Sequence, residues 1–407
     1  MINFKEQLDT LIRGTEEILP LDEFKNKLKR SIKENKPLII KYGVDPTSPD
    51  LHIGHAIPLR KLRQFQDFGH KVILLIGDFT ARIGDPSQKS ATRPQLSGEE
   101  IVLNAKTYTK QAFNILDEKS TIVDYNSRWF GKMSFEEILK LTANFTVARL
   151  LERDDFYKRY QENIPIGLHE FLYPVMQGYD SVMLESDVEL GGTDQKFNML
   201  AGRNLQKIYD QEPQVVFTLP ILEGIDGVQK MSKSLGNHVG ITDEPKEMFG
   251  KIMSIPDELM IKYFKLTTTL SEKEIKKIGK GLKDESLHPA KIKRRLAREI
   301  VSQCYDQKIA QAAEKEFDTV FKEKSLPSNI PEVKLAPQLF KDGRIWIVQL
   351  IKEAGFVKTN GEAKRLIEQG GVKLNNEVIE AADVDLKINN GDILQIGKRR
   401  FAKFIRT

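Results

Sequence analysis

Two short apolar runs, LIIKYGV at 38–44 and KVILLIGDF at 71–79, flank a stretch where Ile57, Leu59, Leu62 and Phe65 recur at helical spacing. Runs bounded by Gly, Asp and Pro read as strands, and strand, helix, strand within so short a span is a βαβ unit. Such a unit closes only as a parallel pair with a helical crossover, so the chain is expected to fold as α/β around a parallel sheet. Further apolar runs stand at 181–185 and 214–222. The residues between, about 98–175, read as mostly helical crossover and insertion material, and Ser134 with Glu137 fits a capping box.

The remainder divides by composition. Residues 1–35 read as a charged amphipathic helix, and 36–240 hold the sheet. From 241 to 324 the pattern is continuous helix with basic faces, and the proline-rich 325–344 reads as a linker. Residues 345–407 carry eleven Lys and Arg against eight Asp and Glu, with two short helices followed by strands turned at Asn-Asn and Asn-Gly. A formal net charge of +5 permits an anionic partner without requiring one. The single cysteine, Cys304, excludes a disulfide framework and a thiolate zinc cluster. The charged start, MINFKEQLDTLIRGTEE, has no apolar core of a leader, and no apolar run reaches the ~18 residues of a membrane span. A cytoplasmic protein with no membrane partner is expected.

His52-Ile53-Gly54-His55 follows the first strand and opens the helix. A helix N-terminus offers unpaired N–H groups and partial positive charge, which attract phosphate. Gly54 allows a ligand close to the backbone, and His52 and His55, three apart, share a face from which to donate hydrogen bonds. A capping histidine and half of a metal site are the alternatives, and the absence of HExxH or a cysteine cluster argues against a metal. A second stretch, Val228–Asn237, sets Lys230 and Lys233 in a polar Ser- and Gly-rich context. An isolated K-x-x-K is most often a solvated loop; beside the histidine pair it suits a polyphosphate whose charge grows during reaction. Walker A and G-x-G-x-x-G, the commoner phosphate loops, are absent.

HIGH at 52–55 followed by KMSKS at 230–234 resembles the signature pair of class I aminoacyl-tRNA synthetases. GVDPTSPDLHIGH (43–55), GDFTARIGDPS (77–87), YPVMQGYDSV (173–182) and LGGTDQKFNM (190–199) resemble the tyrosyl-tRNA synthetase family in order and spacing. The stretch GEAKRLIEQGGVKLNNEVI resembles a small RNA-binding module named after a ribosomal small-subunit protein. The resemblance implies a Rossmann-like parallel-sheet catalytic domain, then an α-helical domain and a small α+β RNA-binding module. It also implies a homodimer, with helices of about 110–175 at the interface, and three substrates: L-tyrosine, ATP with Mg2+, and tRNA(Tyr). No protein-bound metal is expected.

The resemblance assigns roles residue by residue. Thr47, His52 and His55 meet the phosphates, and Lys230 and Lys233 close over the leaving pyrophosphate. Asp45, Gly54, Gly192, Asp194 and Met231 join Lys233 around ATP, with Gly192 and Asp194 at the ribose. Thr80, Asp85, Tyr173 and Gln177 cradle the tyrosine ammonium, Asp180 accepts from the phenol, and Gln195 lies near the reacting carboxylate. Gly43 and Lys41 complete the tyrosine set; Lys41 stands where a well-known branch has a tyrosine that touches the phenol. Strand alternation puts Lys41, Gly43 and Asp45 on one face and Tyr42 on the other. The family's Gly after GDPS is Gln88 here, so the 89–93 loop is expected to differ. Lys364, Arg365, Lys373, Lys398, Arg399 and Arg400 are the expected RNA contacts. A tryptophanyl enzyme shares both signatures but lacks the C-terminal module. Small nucleotidyltransferases are much shorter. A non-catalytic RNA-binding descendant has no need of the intact histidines and lysines.

Overall fold

The computed structural model describes residues 3–46, 50–86, 97–233, 235–321, 330–357, 359–397 and 400–406. Thr47, Lys398, Arg399 and the 87–96 stretch with Gln88 lie outside the described residues. The chain forms two compact units, divided between Glu314 and Lys315.

The first unit is built on a six-stranded sheet. Its strands are β1 (Glu17–Leu19), β2 (Ile39–Val44), β3 (Lys71–Ile76), β4 (Thr121–Tyr125), β5 (Val188–Gly192) and β6 (Val215–Leu219), in the order β1-β6-β5-β2-β3-β4. All pairs are parallel except β1 on β6. Helices α1 (Phe4–Ile12), α2 (Leu21–Glu34) and α3 (Ile53–Asp67) precede β3. Phe24 of α2, Phe65 of α3 and Phe217 of β6 meet edge to face, which seals α2 and α3 onto one side of the sheet. Between β3 and β4 runs α4 (Gly98–Ala112). The short helices α5 (Ser127–Phe130), α6 (Phe135–Thr142), α7 (Val147–Leu150) and α8 (Asp154–Gln161) follow, then α9 (Leu172–Leu184) and α10 (Lys196–Ile208). The opposite side of the sheet packs Ile73 and Leu75 against Trp129, Phe130 and Met176. The expected Ser134–Glu137 capping box is present at α6.

The helices α11 (Pro245–Met253), α12 (Met260–Thr267), α13 (Glu272–Lys283) and α14 (Pro289–Cys304) belong to this same unit, and α15 (Gln307–Phe321) runs across the division. No helix among the described residues is long and apolar enough to cross a membrane.

Several boundaries differ from those expected. Residues 3–35, expected as one helical segment, hold two helices separated by β1, which adds to the main sheet, so they belong with it. Pro20 breaks the helical pattern. The 181–185 run is the end of α9, not a strand. Helix α9 is buried on nearly every face, and an all-round apolar helix loses the periodicity that distinguishes it from a strand. The strand lies one element later, at the glycines of β5. Conversely, β4 lies inside the stretch read as helical. Gly240 is not a unit boundary, because the backbone after it is tied to the start of α3.

The second unit, from Lys315, contains β7 (Glu332–Leu335), β8 (Ile345–Trp346), α16 (Ile347–Glu353), α17 (Asn360–Glu368), β9 (Val372–Leu374), β10 (Glu377–Val378), β11 (Asp385–Leu386), β12 (Ile393–Ile396) and β13 (Arg400–Arg406). Asn375 and Asn376 both have positive φ, the backbone that the expected tight hairpin turn requires. The residues expected as linker supply β7, which pairs in parallel with β13, and Leu335 is fully buried in the module core. The module therefore begins before residue 345. A fragment of residues 330–407 is expected to unfold cooperatively in urea, whereas one starting at 345 should lose most of that transition. Equal midpoints for the two would show β7 to be dispensable.

Candidate active site

Two features bring the distant motifs together. Strand β2 ends at Val44 and α3 starts at Ile53, and residues 239–241 pair with 51–53: the Ile53 amide donates to Val239 O at 2.9 Å and the Ile241 amide to Leu51 O at 3.0 Å. The polar loop carrying Lys230 and Lys233 is thereby held beside the histidines. Lys233 forms an ion pair with Asp50, and Lys230 lies 4.0 Å from Asp194. Met231 is buried, with its amide on Leu222 O.

The histidine rings stack at 3.7 Å. His55 Nδ1 accepts from the His52 amide at 3.3 Å, which leaves the proton of the neutral ring on Nε2. Burial first, then neighbouring positive charge, pushes His52 down to about 2 and His55 down to about 4, with Lys230 acting on both. Both are neutral donors at physiological pH. A Cβ on Gly54 would stand 3.0 Å from the His52 ring, so the glycine makes room for that ring as well as for a ligand. The amides of Ile53 and His55 already bond to Val239 O and His52 O, so the imidazoles carry more of the anion argument than the sequence suggested.

A cleft of about 280 Å³ opens beside them. Gly43, Asp45 and His55 line one wall, with Thr80 and Asp85 next to them. From α9 come Tyr173, Gln177 and Asp180, at the i, i+4, i+7 spacing of one helix face. Gly192, Asp194 and Gln195 close it at the end of β5. His52, Gly54, Lys230, Met231 and Lys233 do not line it, although His52 stacks on His55 and Lys230 lies 4.0 Å from Asp194, both of which do. Lys41 does not line the cleft. It is fully buried and its ammonium is bound to protein, so the expected direct contact with substrate is replaced by internal hydrogen bonds. Tyr42, expected on the face away from Gly43 and Asp45, lines the same cleft as they do, where its hydroxyl is hydrogen-bonded with Tyr108.

The polar groups form one connected set. Tyr173 donates to Asp45 at 3.0 Å and Thr80 donates to the other Asp45 oxygen at 2.8 Å. Asn126 donates to Thr80 at 3.1 Å and more weakly to Asp180 at 3.4 Å, while Trp129 donates to Asp180 at 3.0 Å. Burial pushes the Asp180 carboxyl up to about 7. Gln195 donates to Asp85 at 2.8 Å, and Arg153 approaches the same carboxylate at 3.3 Å. A Cβ on Gly77 would lie 2.1 Å from Asp45, so only glycine lets Asp45 reach Thr80. Burial also raises the Asp194 carboxyl, with Asp85 raising it further and Lys230 drawing it down.

Sequence reading missed Asn126, Trp129, Arg153, Tyr108 and Glu189, none of which lies in a recognised motif, and Asn198, which stands inside LGGTDQKFNM but was given no role. Asn198 donates to both Gln177 and Gln195, at 2.8 and 2.9 Å. A charged residue inside an apolar strand run, as at Lys41 and Glu189, was the one available signal. No group of three or more His, Cys, Asp or Glu that would hold a metal occurs among the described residues. In the second unit Lys364 and Arg365 are exposed on α17 and Lys373 is half-buried on β9. Arg400 donates to Phe356 O at 3.0 Å.

The family description "tRNA synthetases class I (W and Y)" matches residues 33–322, and the S4 domain matches 345–390. A tyrosine–tRNA ligase of Moorella thermoacetica is 53% identical over 397 residues, covering 98% of this chain and 95% of that protein. One from Francisella tularensis is 49% identical over 407 residues, covering 100% of both. The fold is similar to that of the tyrosyl-tRNA synthetase from Archaeoglobus fulgidus solved with L-tyrosine, with a TM-score of 0.62 at 23% identity over 77% of this chain and 99% of that one. With the two signature stretches held side by side and relatives about half identical over nearly their whole length, the chain belongs to the class I tRNA synthetases, within the tyrosine–tRNA ligase family.

Proposed function

We propose that the protein activates L-tyrosine with ATP to tyrosyl-adenylate, releasing pyrophosphate, and then transfers tyrosine to the terminal adenosine of tRNA(Tyr). The observation that carries this reading is the single cleft with two chemically different ends. One end has Tyr173, Gln177 and Asp180 on α9; the other has neutral His55, on which His52 stacks, and Asp194, with Lys230 4.0 Å away. The tyrosine carboxylate attacks the α-phosphate in line, and the bond to the β-phosphate oxygen breaks. Little covalent help is needed, so positioning and charge stabilisation dominate. His55 Nε2–H donates to phosphate oxygens, and Lys230 and Lys233 neutralise the departing pyrophosphate. Lys233 must first leave Asp50, and an exposed ion pair of this kind holds weakly. Asp85 faces the ammonium side of the amino acid, Asp45 the phosphate side, Asp194 and Gly192 the ribose, and Asp180 accepts from the phenol. Magnesium arrives with the triphosphate as part of the substrate.

The reading extends to partners. The basic residues of the second unit would bind tRNA backbone, and the exposed apolar side chains Phe135, Leu139, Val147 and Leu168 suit the interface of a cytoplasmic homodimer. Sedimentation at micromolar concentration is expected to give twice the chain mass, and a monomer would remove the dimer from the account.

Lys233→Ala is expected to slow adenylate formation by about 100-fold or more while tyrosine affinity changes little, because the lost contact matters most in the transition state. A pre-steady-state rate within about threefold of wild type would take Lys233 out of the chemistry. Deleting residues 330–407 should leave tyrosine-dependent ATP–pyrophosphate exchange nearly intact but reduce tRNA charging and flatten its salt dependence. Normal charging by the truncated protein would make the module a structural appendage.

A further inference from the structure

Beneath the cleft floor lies a pair of charges that the reaction does not use. Lys41 of β2 and Glu189 of β5 are register partners in adjacent parallel strands, and Nζ lies 3.0 Å from Oε1. Both are essentially without exposure, at 0% and 1%. Taking two charges out of water is costly unless the remaining donors and acceptors are satisfied. Here they are. Lys41 also donates to Gln177 O at 2.9 Å and Ser181 Oγ at 2.8 Å. Glu189 accepts from Ser181 at 3.1 Å, from Gln177 Nε2 at 3.2 Å and from Gln214.

The partners define the effect. Gln177 and Ser181 lie on α9, on either side of Asp180 in the chain, so the pair grips α9 where its substrate-facing residues stand. Its charges also act on Asp180. The groups that face that carboxyl are Lys41 from β2, Glu189 from β5, and the uncharged donors Asn126 and Trp129. An ionised carboxylate accepts a hydrogen bond roughly twice as strong as a neutral acceptor does, so its charge state bears on how a phenol is told from a phenyl ring.

Resting on the proposed tyrosine site, we infer that Lys41 and Glu189 are positioning residues that hold Asp180 as a phenol acceptor and set the pH range of tyrosine selectivity. Burial raises the Asp180 carboxyl to about 7, Lys41 draws it down, and Glu189 pushes it up. Preference for tyrosine over phenylalanine is present where Asp180 is ionised and declines as pH falls through its titration. Removing the lysine charge moves that decline to higher pH, and removing the glutamate charge moves it lower.

The test is the ratio of kcat/KM for tyrosine and phenylalanine in ATP–pyrophosphate exchange from pH 5.5 to 9, for wild type, Lys41→Met, Glu189→Gln and the double variant. Lys41→Met should shift the midpoint of the ratio up by about one pH unit and recover selectivity in alkali; Glu189→Gln should shift it down by a similar amount. The double variant keeps the volume without an orphaned buried charge, which proteins commonly tolerate, and its midpoint should return toward wild type. Coincident midpoints, or a selectivity loss that is the same at every pH, would overturn the inference. If wild type shows no tyrosine-dependent exchange at all, the proposed function falls instead.

Discussion

The site exists because the parallel sheet divides between β2 and β5. From β2 the chain winds through α3 to β3 and β4, and from β5 it winds through α10 to β6, in opposite directions across the sheet. At such a switch point the loops leave the strand ends on different sides and open a crevice. One lip is the start of α3 with its histidines, and the other is the glycine-rich end of β5 with Asp194. Helix α9 closes the crevice from one face. The 280 Å³ cleft is therefore a consequence of strand order, and side chains only specialise it.

Specialisation relies on buried polar groups linked to one another. Asp45, Thr80, Asn126 and Asp180 form a continuous hydrogen-bonded path from the strand end near the phosphates to the end where a phenol would lie. Each unpaired member would cost about 1–3 kcal/mol, so the set is stable only when complete. Completeness fixes rotamers before a substrate arrives, and preorganisation of that kind is what phosphoryl and nucleotidyl transfer asks of a protein. The 51–53 and 239–241 backbone pairing does the same for the two lysines. It anchors the base of a polar loop whose lysines are about half exposed.

The candidate site was legible where the chemistry proposed for it is local. A histidine pair at a helix start and a lysine pair on a polar loop are each recognised by short spacing, and backbone pairing holds the two stretches side by side. The strand reading succeeded for β2, β3 and β6, whose apolar runs are bounded by turn residues. It failed for α9, which is buried on both sides and so looks apolar throughout, and for β5, whose glycines read as a turn. The prolines of 325–344 suggested a linker, although Pro is compatible with an edge such as β7. Asn126, Trp129 and Arg153 could not be found from spacing, because long-range folding alone brings them to Asp180 and Asp85. Lys41 shows the opposite error. Its position matched a substrate-contacting residue, but its neighbours Glu189 and Ser181, distant in the chain, claim its ammonium group.

The most direct test of the account is a crystal structure with a non-hydrolysable tyrosyl-adenylate analogue. The phenol oxygen should lie at hydrogen-bond distance from Asp180, about 2.5–3.0 Å, with the ribose at Asp194 and the phosphate surrogate facing His55. An analogue bound with its phenol away from α9, or outside the crevice between β2 and β5, would contradict the assignment of the two ends of the cleft.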